Sequence, residues 1–100
     1  MKRKVVIAKT AERRLEDIFD YLVKKWSKKV KDEFIQKLDK NIEIISIQPE
    51  IFPESNKRKG LRRCVVTKHV TIFYKFNLKR IDVVTVFDTR QNSKKLKKEI

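Results

Sequence analysis

The sequence predicts a single α+β domain, and three observations predict it. A helical apolar period fills the first half of the chain, alternation fills the second, and the turn-forming residues gather between them. The 100 residues give room for one core and not two. An apolar share of 40% takes the chain out of the disordered class. One glycine and two prolines imply long elements and few turns.

The first element is a short strand from Lys4 to Ala8, because Val5-Val6-Ile7 is β-branched throughout. Its basic start looks briefly like a signal peptide, but the apolar stretch is too short for one. Thr10 can cap a helix running to about Trp26, with Leu15, Ile18, Phe19, Leu22 and Trp26 as one apolar stripe. Ser27 caps a second helix to about Ile47, with Val30, Phe34, Leu38, Ile42 and Ile45 as its stripe and Ile35 alongside. The tight Trp26-Ser27 junction implies an antiparallel helical hairpin. Pro49 ends the second helix, and a loop from Gln48 to Gly60 holds both prolines and the glycine. Three strands follow, at Leu61 to Val66, Val70 to Phe76 and Ile81 to Phe87, joined by short polar turns. Asp88 to Asn92 reads as a loop and Ser93 to Glu99 as a basic tail. The order is β-α-α-β-β-β, a helical hairpin packed on an antiparallel sheet, in one domain over residues 1–100.

The formal net charge of +14 points to a polyanionic partner, whether nucleic acid, ribosome or acidic protein. Its distribution is informative. From Thr10 to Gln48 nine basic residues face eight acidic ones, while the rest of the chain holds 18 against five. The excess belongs to the ends and the C-terminal half. Cys64 is the sole cysteine, so no internal disulfide can form, and a reducing cytoplasm is the expected setting. No apolar run reaches membrane-spanning length, so no membrane partner is expected.

The densest local feature is Lys57-Arg58-Lys59-Gly60-Leu61-Arg62-Arg63. Gly60 lets the backbone turn sharply into the strand. Arg62 and Arg63 then point to opposite faces, with Arg62 sharing its face with Cys64 and Val66. A guanidinium held by apolar neighbours can grip a phosphate with two parallel bonds. A solvated strand edge that blocks sheet-to-sheet pairing explains the same residues equally well. Arg90, just after the last strand, can meet Arg62 across the sheet, or can pair with Asp88. His69 falls in a turn and reads as a solvated residue rather than a general base. Cys64 reads as a small core residue without a partnering base, and Tyr21 and Tyr74 read as core. Phe73 beside Lys75 could stack a base, but a second buried sheet face accounts for it better. One histidine and one cysteine make no metal site, and no glycine-rich phosphate loop is present. No cofactor is expected.

These elements, in this order, resemble the RelE/ParE superfamily of type II toxin–antitoxin toxins over essentially the whole chain. Thr10-Ala11-Glu12 through Ile18-Phe19-Asp20-Tyr21-Leu22 is similar to the family's first helix. Phe34, Leu38, Ile45, Pro49 and Phe52-Pro53 resemble its second helix and following loop. Leu61-Arg62 resembles the opening of its central strand, Thr71 to Phe76 the next strand, and Val83 to Phe87 with Arg90 the last strand and basic turn. The resemblance implies a toxin neutralised by a cognate antitoxin, with operator DNA reached only through that antitoxin. ParE-like members inhibit DNA gyrase; RelE-like members cut messenger RNA on the ribosome. Arg62 and Arg90 match the two arginines that RelE-like nucleases place on the scissile phosphate, and would be catalytic only in that case. The C-terminal tyrosine of those nucleases has no match, since Leu96 falls near its position, and the terminal His-Tyr pair of other members is absent too. The pattern sits closer to the ParE-like chains. The expectation is therefore a gyrase-directed growth inhibitor, with a ribosome-dependent endoribonuclease as the alternative and a non-toxic nucleic-acid-binding module as a third reading. The residues expected to touch target or nucleic acid are Lys57, Arg58, Lys59, Arg62, Arg63, Arg90, Lys94, Lys95, Lys97 and Lys98.

Overall fold

Ser27 divides the helical half of the chain in two. Its backbone is extended and its Oγ accepts a hydrogen bond from the Val30 amide at 3.2 Å, which satisfies one of the orphan donors of a helix start. In the computed structural model, residues 2–56 and 59–89 are described. The elements are β1 (Lys4–Ile7), α1 (Lys9–Lys25), α2 (Lys28–Ile47), a 3-10 turn at Pro49–Ile51, β2 (Arg62–Thr67), β3 (Val70–Phe76) and β4 (Arg80–Asp88).

Three local expectations are corrected. The cap of α1 is Ala8, not Thr10. The Ala8 amide donates to Val83 O, and its carbonyl already accepts from Glu12. The sheet therefore fixes the helix start, and Thr10 falls inside the first turn. Trp26 leaves the apolar stripe: α1 stops at Lys25, the Trp26 backbone is non-helical, and the indole is 68% exposed. Tyr21, also expected in the core, is exposed on the flank of the same stripe.

The remaining stripes pack as their spacing dictates. Leu15, Ile18, Phe34, Leu38 and Ile45 are buried, with Leu22 and Ile42 packed against them. Phe19 and Phe34 meet edge-on across the hairpin, 6.1 Å between centroids. Cys64, Ile72, Tyr74, Ile81, Val83 and Val86 meet them from the sheet. Each such side chain contributes on the order of 1.5–3 kcal/mol by leaving water.

The sheet order is β1-β4-β3-β2. The β2-β3-β4 meander is antiparallel, as its short turns require. β1 departs from the expected all-antiparallel sheet: it joins β4 in parallel, Lys4 beside Arg80 through Ile7 beside Val83. The long connection through both helices permits this, because a parallel neighbour needs a crossover and a hairpin turn cannot supply one. On the outer face, Leu61 and Phe73 form a second, smaller cluster with Val84 and Phe87. A bulge produces it. The register steps from Phe73–Thr85 to Tyr74–Val83, which leaves Val84 as the extra residue. Phe73 is accordingly buried, the second sheet face that the alternation favours.

Candidate functional site

Gly60 turns the chain into β2 with a φ of 92°, a conformation that a side chain would strain. Alternation then places Arg62 and Arg63 on opposite faces, as expected. Arg63 is exposed, while Arg62 is half-buried beside the buried Cys64 and Val66.

What Arg62 meets is the loop after α2. Its Nη1 donates to the Phe52 carbonyl at 2.6 Å and to the Glu50 carbonyl at 3.1 Å. Its guanidinium also lies 5.7 Å from the centroid of Phe76, within cation–π range. The same loop is tied elsewhere. The Arg63 amide donates to Pro53 O at 3.0 Å, the Ser55 amide to Leu61 O at 2.6 Å, and Glu54 forms an isolated antiparallel bridge with Arg62. The Tyr74 hydroxyl, buried, donates to Pro49 O at 2.6 Å. The stretch that reads as an irregular loop is thus pinned along the edge of β2.

Arg90, the proposed partner of Arg62, lies outside the described residues, as do Lys57, Arg58, Lys94, Lys95, Lys97 and Lys98. Arg62 faces Tyr74, which faces Val83, whereas β4 ends at Asp88 opposite Val70, at the other end of the sheet. Among the described residues, Arg3 lies against the same ring as Arg62, its guanidinium also 5.7 Å from the Phe76 centroid. Spacing gave no signal of it, because the position of Arg3 follows from the parallel pairing of β1. Lys59 is exposed beside Gly60.

The nucleophile candidates are quiet. Burial pushes the Cys64 thiol up to about 11, so it stays protonated at neutral pH and is a poor nucleophile. Its Sγ donates weakly to Asn41 Oδ1 at 3.4 Å. Burial also raises the Tyr74 phenol well above its usual value. His69 is exposed in the β2–β3 turn, its Nδ1 3.0 Å from Thr89 Oγ1. Among the described residues no cluster of His, Cys, Asp and Glu could hold a metal ion, and no helix is long and apolar enough to cross a membrane.

A different surface went unseen in the sequence. A largely apolar groove of about 450 Å³ runs between the helical hairpin and the β2–β3 turn, lined by residues that include Ile18, Tyr21, Trp26, Phe34, His69 and Val70. The exposed Trp26 and Tyr21 are its signal. Each was read as core because helical spacing alone does not say where a stripe ends.

Comparison with solved structures places the fold. A chain of the chromosomal ParDE TA system of P. aeruginosa superposes with a TM-score of 0.73 at 11% identity, covering 87% of this chain and 96% of that one. A chain of the E. coli DinJ-YafQ toxin–antitoxin complex gives a TM-score of 0.61 at 14% identity, covering 90% and 96%. YafQ from E. coli strain BL21(DE3) gives 0.59 at 14% identity, covering 89% and 96%. At such identities the likeness speaks for the fold. No curated protein sequence matches the chain. The family model described as the ParE toxin of the type II toxin–antitoxin system, parDE, matches residues 5–93, nearly the whole chain. With its helical hairpin on a mixed four-stranded sheet, the chain belongs to the ParE toxin family of type II toxin–antitoxin systems.

Proposed function

We propose that this toxin arrests growth by gripping a type II topoisomerase, DNA gyrase, rather than by cutting RNA. The observation that carries this reading is the commitment of Arg62. Cleavage of RNA by its own 2′-hydroxyl needs a positioned base, an acid and a cation aimed at the phosphate. Arg62 is turned inward and commits its Nη1 to the carbonyl oxygens of Glu50 and Phe52. Tyr74 is sealed in the core against Pro49, and Cys64 is held protonated by burial. His69 stands in a turn, on β2–β3, far along the sheet from Arg62. A binder needs none of these groups to react.

The cognate antitoxin would cover the apolar groove and the cationic surface with a segment carrying apolar and acidic residues. Binding of that kind weakens as salt rises, because exposed charge pairs are screened. The cytoplasm, where gyrase works, is the proposed location. The catalytic roles of Arg62 and Arg90, and target contacts by Lys57, Arg58, Lys59, Arg63, Lys94, Lys95, Lys97 and Lys98, are separated by one pair of assays. Purified protein is added to a gyrase supercoiling reaction and, in parallel, to a translating extract read for message cleavage. The expected result is inhibited supercoiling with intact messages, lost in a chain ending at Asn92. Cleaved messages with gyrase untouched would make the protein a ribosome-dependent endoribonuclease.

A further inference from the structure

At the end of the sheet where β1 begins, two arginines lie against one phenylalanine. The guanidinium carbons of Arg3 and Arg62 each stand 5.7 Å from the Phe76 centroid. Each is also anchored to backbone: Arg3 Nε donates to Asn77 O at 2.9 Å, and Arg62 Nη1 to the Glu50 and Phe52 carbonyls. The Arg3 fork is therefore ordered before any partner arrives, so little of its side-chain entropy is left to lose on binding, while Arg62 stays committed to the loop. Neither forms an ion pair among the described residues.

Beside them stands a rigid apolar tip. The β3–β4 turn is closed by Asn77, whose Oδ1 accepts from the amides of Lys79 and Arg80 at 2.8 and 2.9 Å. This holds Leu78 out from the surface, 89% exposed. Ile47, the last residue of α2, is exposed too and lines the same cleft as Leu78. Arg3, Ile47, Glu50, Leu78 and Lys79 line a cleft of about 430 Å³. A scattered exposed leucine means little, but an apolar cluster rimmed by ordered arginine has the makeup of an interface core. Phosphodiester backbone would use the cations and leave the two aliphatic side chains unanswered. A protein surface offering a carboxylate beside an apolar side chain answers both, and the +14 charge of the chain draws it in.

We propose that this end of the sheet is the surface by which the toxin docks on an acidic patch of its target protein, Leu78 packing on an apolar side chain and Arg3 meeting a carboxylate. The proposal rests on the reading of the toxin as an inhibitor that grips its target. The test compares the full chain with Leu78→Asp and Leu78→Lys in the gyrase supercoiling reaction, each protein first checked for an unchanged melting temperature. A turn-tip side chain this exposed supports little of the fold. Both variants are expected to need about tenfold more protein, or beyond, for equal inhibition. Full potency in Leu78→Lys with loss only in Leu78→Asp would show that charge alone matters at the tip and overturn the apolar contact. Full potency in both would overturn the docking surface and leave the gyrase reading standing. If the parent leaves gyrase untouched, the gyrase reading falls, and growth arrest by the same three proteins decides this one: arrest lost in both variants upholds it, equal arrest overturns it. A parent that neither inhibits gyrase nor arrests growth overturns both.

Discussion

The hydroxyl of Tyr74 and the carbonyl of Pro49 form a 2.6 Å hydrogen bond inside the core. It is the deepest of the links that hold the post-helical loop against the sheet. Tyr74→Phe keeps the ring and leaves that carbonyl without its partner. Stability is expected to fall by about 1–3 kcal/mol. For a domain of this size each kcal/mol moves the melting temperature by roughly 4–8 °C. A variant melting within a degree of the parent would show that water replaces the hydroxyl freely.

Arg62 gives a second, separable prediction. Because its Nη1 bridges two carbonyls, Arg62→Lys should cost about 1–2 kcal/mol of stability through the loss of one charge-assisted bond. Inhibitory potency per folded molecule should then change by less than the roughly 10²–10³ that removal of an aimed catalytic cation costs. Urea unfolding beside the gyrase assay reads both. Unchanged stability with potency down a hundredfold would return Arg62 to a phosphate-gripping role.

The two cap positions should behave differently. Ser27→Ala removes the side chain that accepts from Val30, and a loss of about 1 kcal/mol is expected. Thr10→Ala removes no cap and should stay within about 0.5 kcal/mol. Equal losses at both sites, by urea midpoint, would place the start of α1 at Thr10 after all.

Alkali should unfold the protein through its buried acids. In the folded state the Cys64 thiol ionises near 11, against 9.0 when unperturbed. Above the lower value the unfolded chain has lost a proton that the folded chain keeps, so stability falls as pH rises from about 9 to 11. Tyr74, raised in the same direction by burial, extends the loss to higher pH. Cys64→Ala should flatten the stability profile between those values, measured by urea midpoint against pH. A profile that keeps its slope would mean the thiol reaches water.

Much of this was legible in the chain. The stripes of Leu15 and Ile18 and of Phe34 and Leu38 fixed both helices, and alternation fixed the face on which Arg62 lies. The neighbour of β1 was not legible, because Val5-Val6-Ile7 encodes extension but no pairing direction. Trp26 was misplaced because helical spacing continues on paper after the helix has ended at Lys25. The contacts of Arg62 were missed for a related reason. They are made by the loop carbonyls of Glu50 and Phe52 and by the ring of Phe76, and no periodic pattern places a loop. Arg3 came to the site only through the parallel strand that carries it.

The pairing of Lys4 with Arg80 also sets a schedule for biosynthesis. When β1 and both helices have left the ribosome, the strand against which β1 must lie has not been made. Closing so long a stretch of chain is slow relative to forming the local hairpin of α1 and α2. The nascent chain therefore emerges with its first strand unpaired and its sheet unassembled. A product that stops before β4 would carry the helices and the first residues of the toxin without the strand that joins them. Such a fragment should not hold the toxin fold, whose sheet closes only once β4 has been made.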